Sequence, residues 1–346
     1  MATIEKNPPT DSKAARQAAL KYLRSVGISG AEKASRAFPY IEGGEVSLEA
    51  TAWALIALRH EREIALAGLQ YLAQSQNSAD GGWSTRPGAG RSDWTSGPAL
   101  LAMRILHDLY QSDIDAASSK ALNRGLSYLL DSRVEFYGPT ARLALLFSKG
   151  PAGLEYGRGW PWDPKCFHWL EPTAYCLLAL KLPTTAAGNA DQRAIIKFAD
   201  RFILEHSCRD GGWNHGNDLS LGVYLPAYRL TTAEALLALQ AHAAAESGQG
   251  GEAHLQNDRL KKIAAGLNFL QTQTEEDSSS LSLAASILAL SAYDRPFQAE
   301  LAYLLKRQAD NGSFGPTVMS TALAAIALEA DQPGSEQGLV LKTSKS

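Results

Sequence analysis

Cysteine is scarce, with three residues (Cys166, Cys176 and Cys208) in 346. An odd number cannot all pair within the chain, and the spacing matches no disulfide framework. The fold therefore rests on an apolar core, and a reducing cytosol is the expected setting. Neither sign of charge is in excess: 33 Lys and Arg face 36 Asp and Glu, for a net charge of -3. That balance gives no electrostatic basis for binding nucleic acid. Apolar runs stay below the roughly 20 residues needed to cross a bilayer. The stretch Met1–Asp11 also lacks the apolar centre of a secretory signal. The expectation is a cytoplasmic protein, with a peripheral membrane contact and a protein partner left open. A phosphate-gripping Gly loop and a nucleophile elbow are missing as well. Glu275-Glu276-Asp277 lacks the Asp-Asp-x-x-Asp order of a magnesium-dependent ionisation site and reads as a solvated turn.

Apolar residues are plentiful at 45% and are arranged in a repeat. One type of segment pairs an aromatic with an aliphatic residue between charged and amide positions: Ala19–Arg24, Gly68–Gln74, Gly125–Leu130, Ala199–Leu204, Gly266–Gln271 and Leu301–Lys306. This is the pattern of an amphipathic helix with one wet face. Gly turns ending in an aromatic follow several of them: Asp80-Gly-Gly-Trp83, Asp210-Gly-Gly-Trp213 and Asn311-Gly-Ser-Phe314. The second type is apolar nearly all round and rich in Ala: Glu49–Leu58, Trp94–Met103, Glu171–Leu180, Leu230–Leu239, Leu281–Leu290 and Met319–Leu328. Such helices are buried, with Ser or Thr available as N-caps. Six wet-faced helices alternating with six buried ones make two concentric layers. Closing them into a ring removes the need for polar capping repeats. The expected organisation is a flexible segment 1–10, one domain over 11–331 and a flexible tail 332–346. An additional helix is expected at Pro139–Phe147 and a surface loop at Ala243–Gly251.

The outer helix, Gln, Gly-x-Trp turn and inner helix together resemble the repeat of the terpenoid-cyclase and protein-prenyltransferase superfamily. Gly68–Gln76 followed by Gly81-Gly82-Trp83 is similar to the glutamine–tryptophan motif of squalene–hopene cyclases. The resemblance implies an all-α, single-domain (α/α)6 toroid, a double-layered helical barrel around an aromatic-lined apolar cavity. It also implies an isoprenoid substrate and acid-initiated cyclisation.

Acid-initiated cyclases carry an Asp-x-Asp-Asp-Thr-Ala motif at the start of an inner helix. Aligned on Thr173-Ala174, Glu171 takes the proton-donating position, while Trp169 and Pro172 stand where the family has Asp. Glu49 holds the same register in Glu49-Ala-Thr51, where other copies have Trp94, Leu230, Leu281 and Met319. An acid at an otherwise apolar position is the exception. A simpler account is that each Glu complements its helix dipole. His168 and Asp163 are the candidate assistants of Glu171. Trp53, Trp94 and Trp169, with Trp160 and Trp162, are candidates for an aromatic wall that stabilises a cation, or for ordinary core. Arg86, Arg91 and Asp93 fall on the same rim, as do Asn214, His215, Tyr224 and Tyr228. The two Arg would suit a diphosphate. Trp83 and Trp213 belong to the turn and are structural.

No cofactor is implied by the favoured reading. Asp163, Cys166 and His168 are the ligand types of a zinc prenyltransferase-like site, at a spacing one residue off that family's. A third account is a non-catalytic barrel that binds a lipid or a protein.

Overall fold

A computed structural model describes residues 11–29, 36–132, 140, 143–144, 146–147, 159–164, 166–182, 190–216, 218–240, 253–273 and 278–332. The expected helix at Pro139–Phe147, the loop at Ala243–Gly251 and Glu275–Asp277 fall wholly or largely outside these residues. Twelve α-helices are found among the described residues. They are α1 (Ser12–Val26), α2 (Leu48–Ala57), α3 (Arg62–Gln74), α4 (Ser96–Leu109), α5 (Ala116–Asp131) and α6 (Leu170–Lys181). The second half adds α7 (Ala190–Glu205), α8 (Arg229–Ala238), α9 (Ala253–Thr272), α10 (Ser280–Ala292), α11 (Gln298–Leu305) and α12 (Val318–Glu329).

The even-numbered helices form the inner ring. α2 packs on α4, α4 on α6, α6 on α8, α8 on α10, α10 on α12, and α12 back on α2. The odd-numbered helices lie outside, α1 against α12, α3 against α2 and α4, and α9 against α8 and α10. The chain is therefore the all-α (α/α)6 toroid. Burial explains the sorting. In α1 the buried residues Ala15, Ala19, Tyr22, Leu23 and Val26 form one stripe, whereas every residue of α2 and of α6 is buried.

A single device repeats five times around the ring. The backbone N–H of an aromatic donates to a hydroxyl in the first turn of the following inner helix: Phe38 to Thr51 (2.9 Å), Trp83 to Ser96 (2.8 Å), Trp160 to Thr173 (2.9 Å), Trp213 to Thr232 (2.9 Å) and Phe314 to Thr321 (3.0 Å). The three Trp indoles donate in turn to Leu72, Leu129 and Ile203, at the end of the preceding outer helix. Gln76 binds the carbonyls of Gly81 and Ala121, and Gln308 those of Gly312 and Ala15, so each Gln ties its turn to the next outer helix. Gly125 and Gly266 make room for this packing, since a Cβ at either would lie 2.5 Å from the ring of Trp83 or Trp213.

These anchors put the N-termini of α2, α4, α6, α8 and α12 at one end. Backbone bonds lace that rim together: Val318 N–H to Tyr40 C=O, Leu48 to Thr85, Trp94 to Trp162, and Leu170 to His215. The N–H groups of Val318, Leu48 and Leu170 are ones that the first turn of a helix leaves unsatisfied, and Trp94 lies just before α4. The opposite end is closed by buried cations, Arg104 on the carbonyls of Ala179 and Leu182 and Lys181 on those of Ala238 and Gln240. Positive side chains there match the negative end of the helix dipoles.

Candidate functional site

The hydroxyl anchors fix the register of the inner helices, and equivalent positions form tiers down the bore. The top tier holds Glu49, Trp94, Glu171, Leu230, Leu281 and Met319. One turn deeper stand Trp53, Pro98, Tyr175, Glu234, Ala285 and Leu323. A further turn down every position is alanine: Ala57, Ala102, Ala179, Ala238, Ala289 and Ala327, none more than 3% exposed. At that depth every inner helix presents a small side chain shielded from solvent.

The upper two tiers concentrate the polar chemistry. Glu49, Glu171 and Glu234 are 9%, 7% and 4% exposed and come from α2, α6 and α8. Burial, then the nearby charge of Asp93, raises the Glu49 pKa to about 7. Glu234 is pushed well above the usual carboxylate range by burial and by the charges of Glu171 and Glu49, although the Tyr175 hydroxyl donates to its Oε1. His215 Nδ1 lies on Glu171 Oε1, and the imidazole itself is half open to solvent. Three buried polar atoms in this cluster have no partner: Glu171 Oε2, Glu234 Oε2 and Trp53 Nε1.

Aromatic rings frame the acids. Trp53 and Tyr175 meet edge to face at 5.6 Å, and Trp94 lies edge-on to Trp162 at 4.6 Å and tilted to Tyr175 at 6.2 Å. On the rim Trp169 stacks on Phe167 at 5.1 Å, and Trp169 and Tyr228 flank His215 at 6.3 and 5.4 Å. Tyr40, Phe167, Tyr224 and Tyr228 are exposed around this mouth.

Several residues singled out in the sequence have other places. Trp160 is the third turn tryptophan, equivalent to Trp83 and Trp213, with its indole committed to Leu129. The imidazole beside Glu171 is His215; His168 pairs in a short hairpin with Pro161 and sits edge-on to Phe202. Asp163 binds Arg91, joining the loop before α4 to the loop before α6. Asp93 folds its own loop by accepting from the N–H groups of Thr85 and Thr95. Arg86 is exposed, with Glu45 4.0 Å away. Asn214 is buried and accepts from Gly216 N–H, and Tyr224 lies under the Arg209 guanidinium on the hairpin 219–224. The zinc arrangement is not formed: Asp163 is turned to Arg91, Cys166 is exposed and His168 lies against Phe202. Among the described residues no group of three His, Cys, Asp or Glu converges as a metal-ligand set. Tyr175 and Glu234 were missed in the sequence. The available signal was an acid at the fifth position of Leu230–Leu239, inside an otherwise apolar helix.

No family model matches the sequence, and no curated protein matches it. Solved structures do share the barrel. The α-1,6-mannanase GH76A of Salegentibacter sp. HEL1_6, an inactive variant in complex with α-1,6-mannotriose, is similar over 92% of this chain and 98% of its own, with a TM-score of 0.60 and 11% identity. A reducing-end-xylose releasing exo-oligoxylanase aligns over 96% and 94%, with a TM-score of 0.60 and 10% identity. An unsaturated glucuronyl hydrolase specific for heparin aligns over 92% and 96%, with a TM-score of 0.57 and 12% identity. At such identities the likeness establishes the fold.

These findings correct the expected family and substrate. The similar barrels named here are a mannanase, an oligoxylanase and a glucuronyl hydrolase rather than isoprenoid enzymes, and the terpenoid-cyclase, prenyltransferase and lipid- or protein-binding readings are set aside. The second tier also departs from the apolar lining expected for an isoprenoid chain, since it carries Tyr175 and Glu234 beside Trp53. Among the described residues no helix is long and apolar enough to cross a membrane.

Proposed function

We propose that the chain is a carbohydrate-processing enzyme of the glycoside-hydrolase type, cleaving a glycosidic bond at the N-terminal mouth of the barrel. One observation carries the reading. Glu49 and Glu171 occupy the same register on two inner helices, beneath one rim, in electrically different surroundings. Burial and Asp93 keep Glu49 protonated up to about pH 7, the condition a general acid requires. Glu171 carries an imidazole on one oxygen and has the other free of partners. Two carboxyl groups in unlike environments are the minimum equipment for glycoside hydrolysis.

In this reading Glu49 gives its proton to the leaving glycosidic oxygen as the bond to the anomeric carbon breaks. Water adds to that carbon and its proton passes to Glu171, from which His215, open to solvent, carries it away. Trp94, between the two acids in the top tier, offers its face to the developing oxocarbenium charge. Rim aromatics such as Trp169 and Tyr228 suit the apolar faces of sugar rings. The reading is supported by the saccharides and saccharide-directed activities named for the similar barrels. Their catalytic residues do not transfer: the inactive mannanase variant replaces two consecutive aspartates, and this sequence contains no Asp-Asp pair.

The test is turnover of mannotetraose, xylotetraose and unsaturated glucuronyl disaccharides, followed by chromatography of the products. Cleavage of one class is expected, falling about 10²- to 10⁴-fold in Glu49→Gln and in Glu171→Gln. Absence of cleavage across the panel, or variants as fast as the parent, would remove the reading.

A further inference from the structure

We propose that this site takes the end of a saccharide chain rather than a bond in its interior, with Trp53, Tyr175 and Glu234 as the floor that reads the hydroxyl groups of the terminal ring. The inference rests on the saccharide reading above.

Glu49 and Glu171 are nine-tenths buried, below rim loops rather than on them. On the arc that carries both acids the rim is continuous, laced by the Val318–Tyr40, Leu48–Thr85, Trp94–Trp162 and Leu170–His215 backbone bonds. A polymer offering an internal bond to these carboxyls would need one gap in the wall for each of its arms. Among the described residues this arc provides none, so the way down is along the barrel axis. Below the acids the way is closed. Trp53 and Tyr175 touch across the bore, and the alanines beneath are shielded from solvent. A chain that enters by its tip therefore stops at the second tier.

At that stop stand the unpartnered buried atoms: one indole donor, Trp53 Nε1, and two carboxyl oxygens, Glu171 Oε2 and Glu234 Oε2. A sugar hydroxyl both donates and accepts, which suits one N–H beside carboxyl oxygens. Leaving such groups unsatisfied is costly, and a ligand that satisfies them is favoured accordingly. The contrast with the turn tryptophans is informative. The indoles of Trp83, Trp160 and Trp213 are all committed to backbone carbonyls, whereas that of Trp53 is not.

The experiment uses the full chain in two arms. In the first, the product lengths released early from mannohexaose and xylohexaose are followed; release of a single short product from the first turnovers is expected. In the second, indole N–H resonances are recorded while methyl α-mannoside and methyl β-xyloside, single rings, are added. The Trp53 signal, assigned by its loss in Trp53→Phe, is expected to shift while those of Trp83, Trp160 and Trp213 stay fixed. Trp53→Phe, which keeps the ring contact, is expected to weaken binding about tenfold. If that variant does not fold, Glu234→Gln is expected to weaken binding in its place. Mixed internal products, or sugars that bind without moving the Trp53 signal, would overturn the end-reading floor and leave the saccharide function standing. No binding and no cleavage of any probe would overturn both.

Discussion

Trp53 and Tyr175 meet edge to face with ring centroids 5.6 Å apart, although α4 stands between their helices in the inner ring. A contact between helices that are not ring neighbours crosses the bore. It divides the polar upper tiers from the alanine tier below, and it places the acids of α2, α6 and α8 within one electrostatic neighbourhood. Glu234 and Tyr175 both feel the charges of Glu171 and Glu49. The consequences are measurable.

The first concerns Glu49. Its native pKa of about 7 lies above the ordinary 4.5, so between those values the folded protein binds more protons than the unfolded chain. Stability from this group is greatest below pH 4.5, falls as pH rises to about 7, and is level above that. The loss amounts to about 3 kcal/mol at most. Glu49→Gln removes the titration. Its stability relative to wild type should therefore improve by up to about 3 kcal/mol between pH 4.5 and pH 8. Urea unfolding at several pH values reads the difference, and a gap independent of pH would contradict the assignment.

The second concerns the hydroxyl anchors. Thr51→Val, Thr173→Val and Thr232→Val each leave a buried aromatic backbone N–H without its acceptor, at a cost of about 1–3 kcal/mol. Serine at the same positions restores the acceptor and should recover most of the loss. The three anchors stand in different repeats, so the double variants should be close to additive. Thermal and urea unfolding of singles and doubles decide it.

The anchors also explain what could be read in advance. Six apolar segments in one register are visible in the sequence, because a buried helix needs an apolar surface on every side and Thr51, Thr173, Thr232 and Thr321 recur at a fixed place. The barrel followed from that. The exceptional acids at Glu49 and Glu171 were visible for the same reason. Glu234 does not stand out in the same way, because it lies one turn further in than the segment starts at which the repeats align. The choice of His215 over His168 was not available at all. It depends on Leu170 N–H reaching the His215 carbonyl, a long-range bond that carries the imidazole over Glu171. Substrate class failed on a similar point, since a repeat reports how a barrel is closed and not what its bore contains.

Gly125 gives a prediction in which two local rules oppose each other. Alanine is favoured over glycine inside a helix by about 1 kcal/mol. At Gly125, however, the new Cβ would lie 2.5 Å from Cζ3 of Trp83, whose ring is fully buried and whose indole is held by Leu72. Overpacking of that kind costs about 1–3 kcal/mol or more, so Gly125→Ala should destabilise. A urea midpoint equal to or above wild type would mean that the ring can shift.

The last prediction tests the far end of the barrel, where Glu329 of α12 receives Arg59 at 2.8 Å and Arg16 at 3.1 Å, with His60 at 3.5 Å. Burial alone would raise its pKa, but the hydrogen bond from His60 and the two guanidinium charges outweigh it and hold the carboxyl below its ordinary 4.5. The stabilisation is therefore fully present above about pH 4.5 and is lost as pH falls through the lower native value. Glu329→Gln removes the carboxylate that faces the Arg59 guanidinium, only 2% exposed, and should cost about 3 kcal/mol or more at pH 7. As pH falls through that lowered native value the wild-type carboxyl protonates and the difference should shrink. The slope is opposite in sign to that at Glu49, so the two variants measured over one pH series separate an acid kept protonated by the mouth of the barrel from one kept ionised by its base. A Glu329→Gln deficit that stays constant from pH 7 down to the onset of acid unfolding would show that the α12–α2 joint does not depend on this charge.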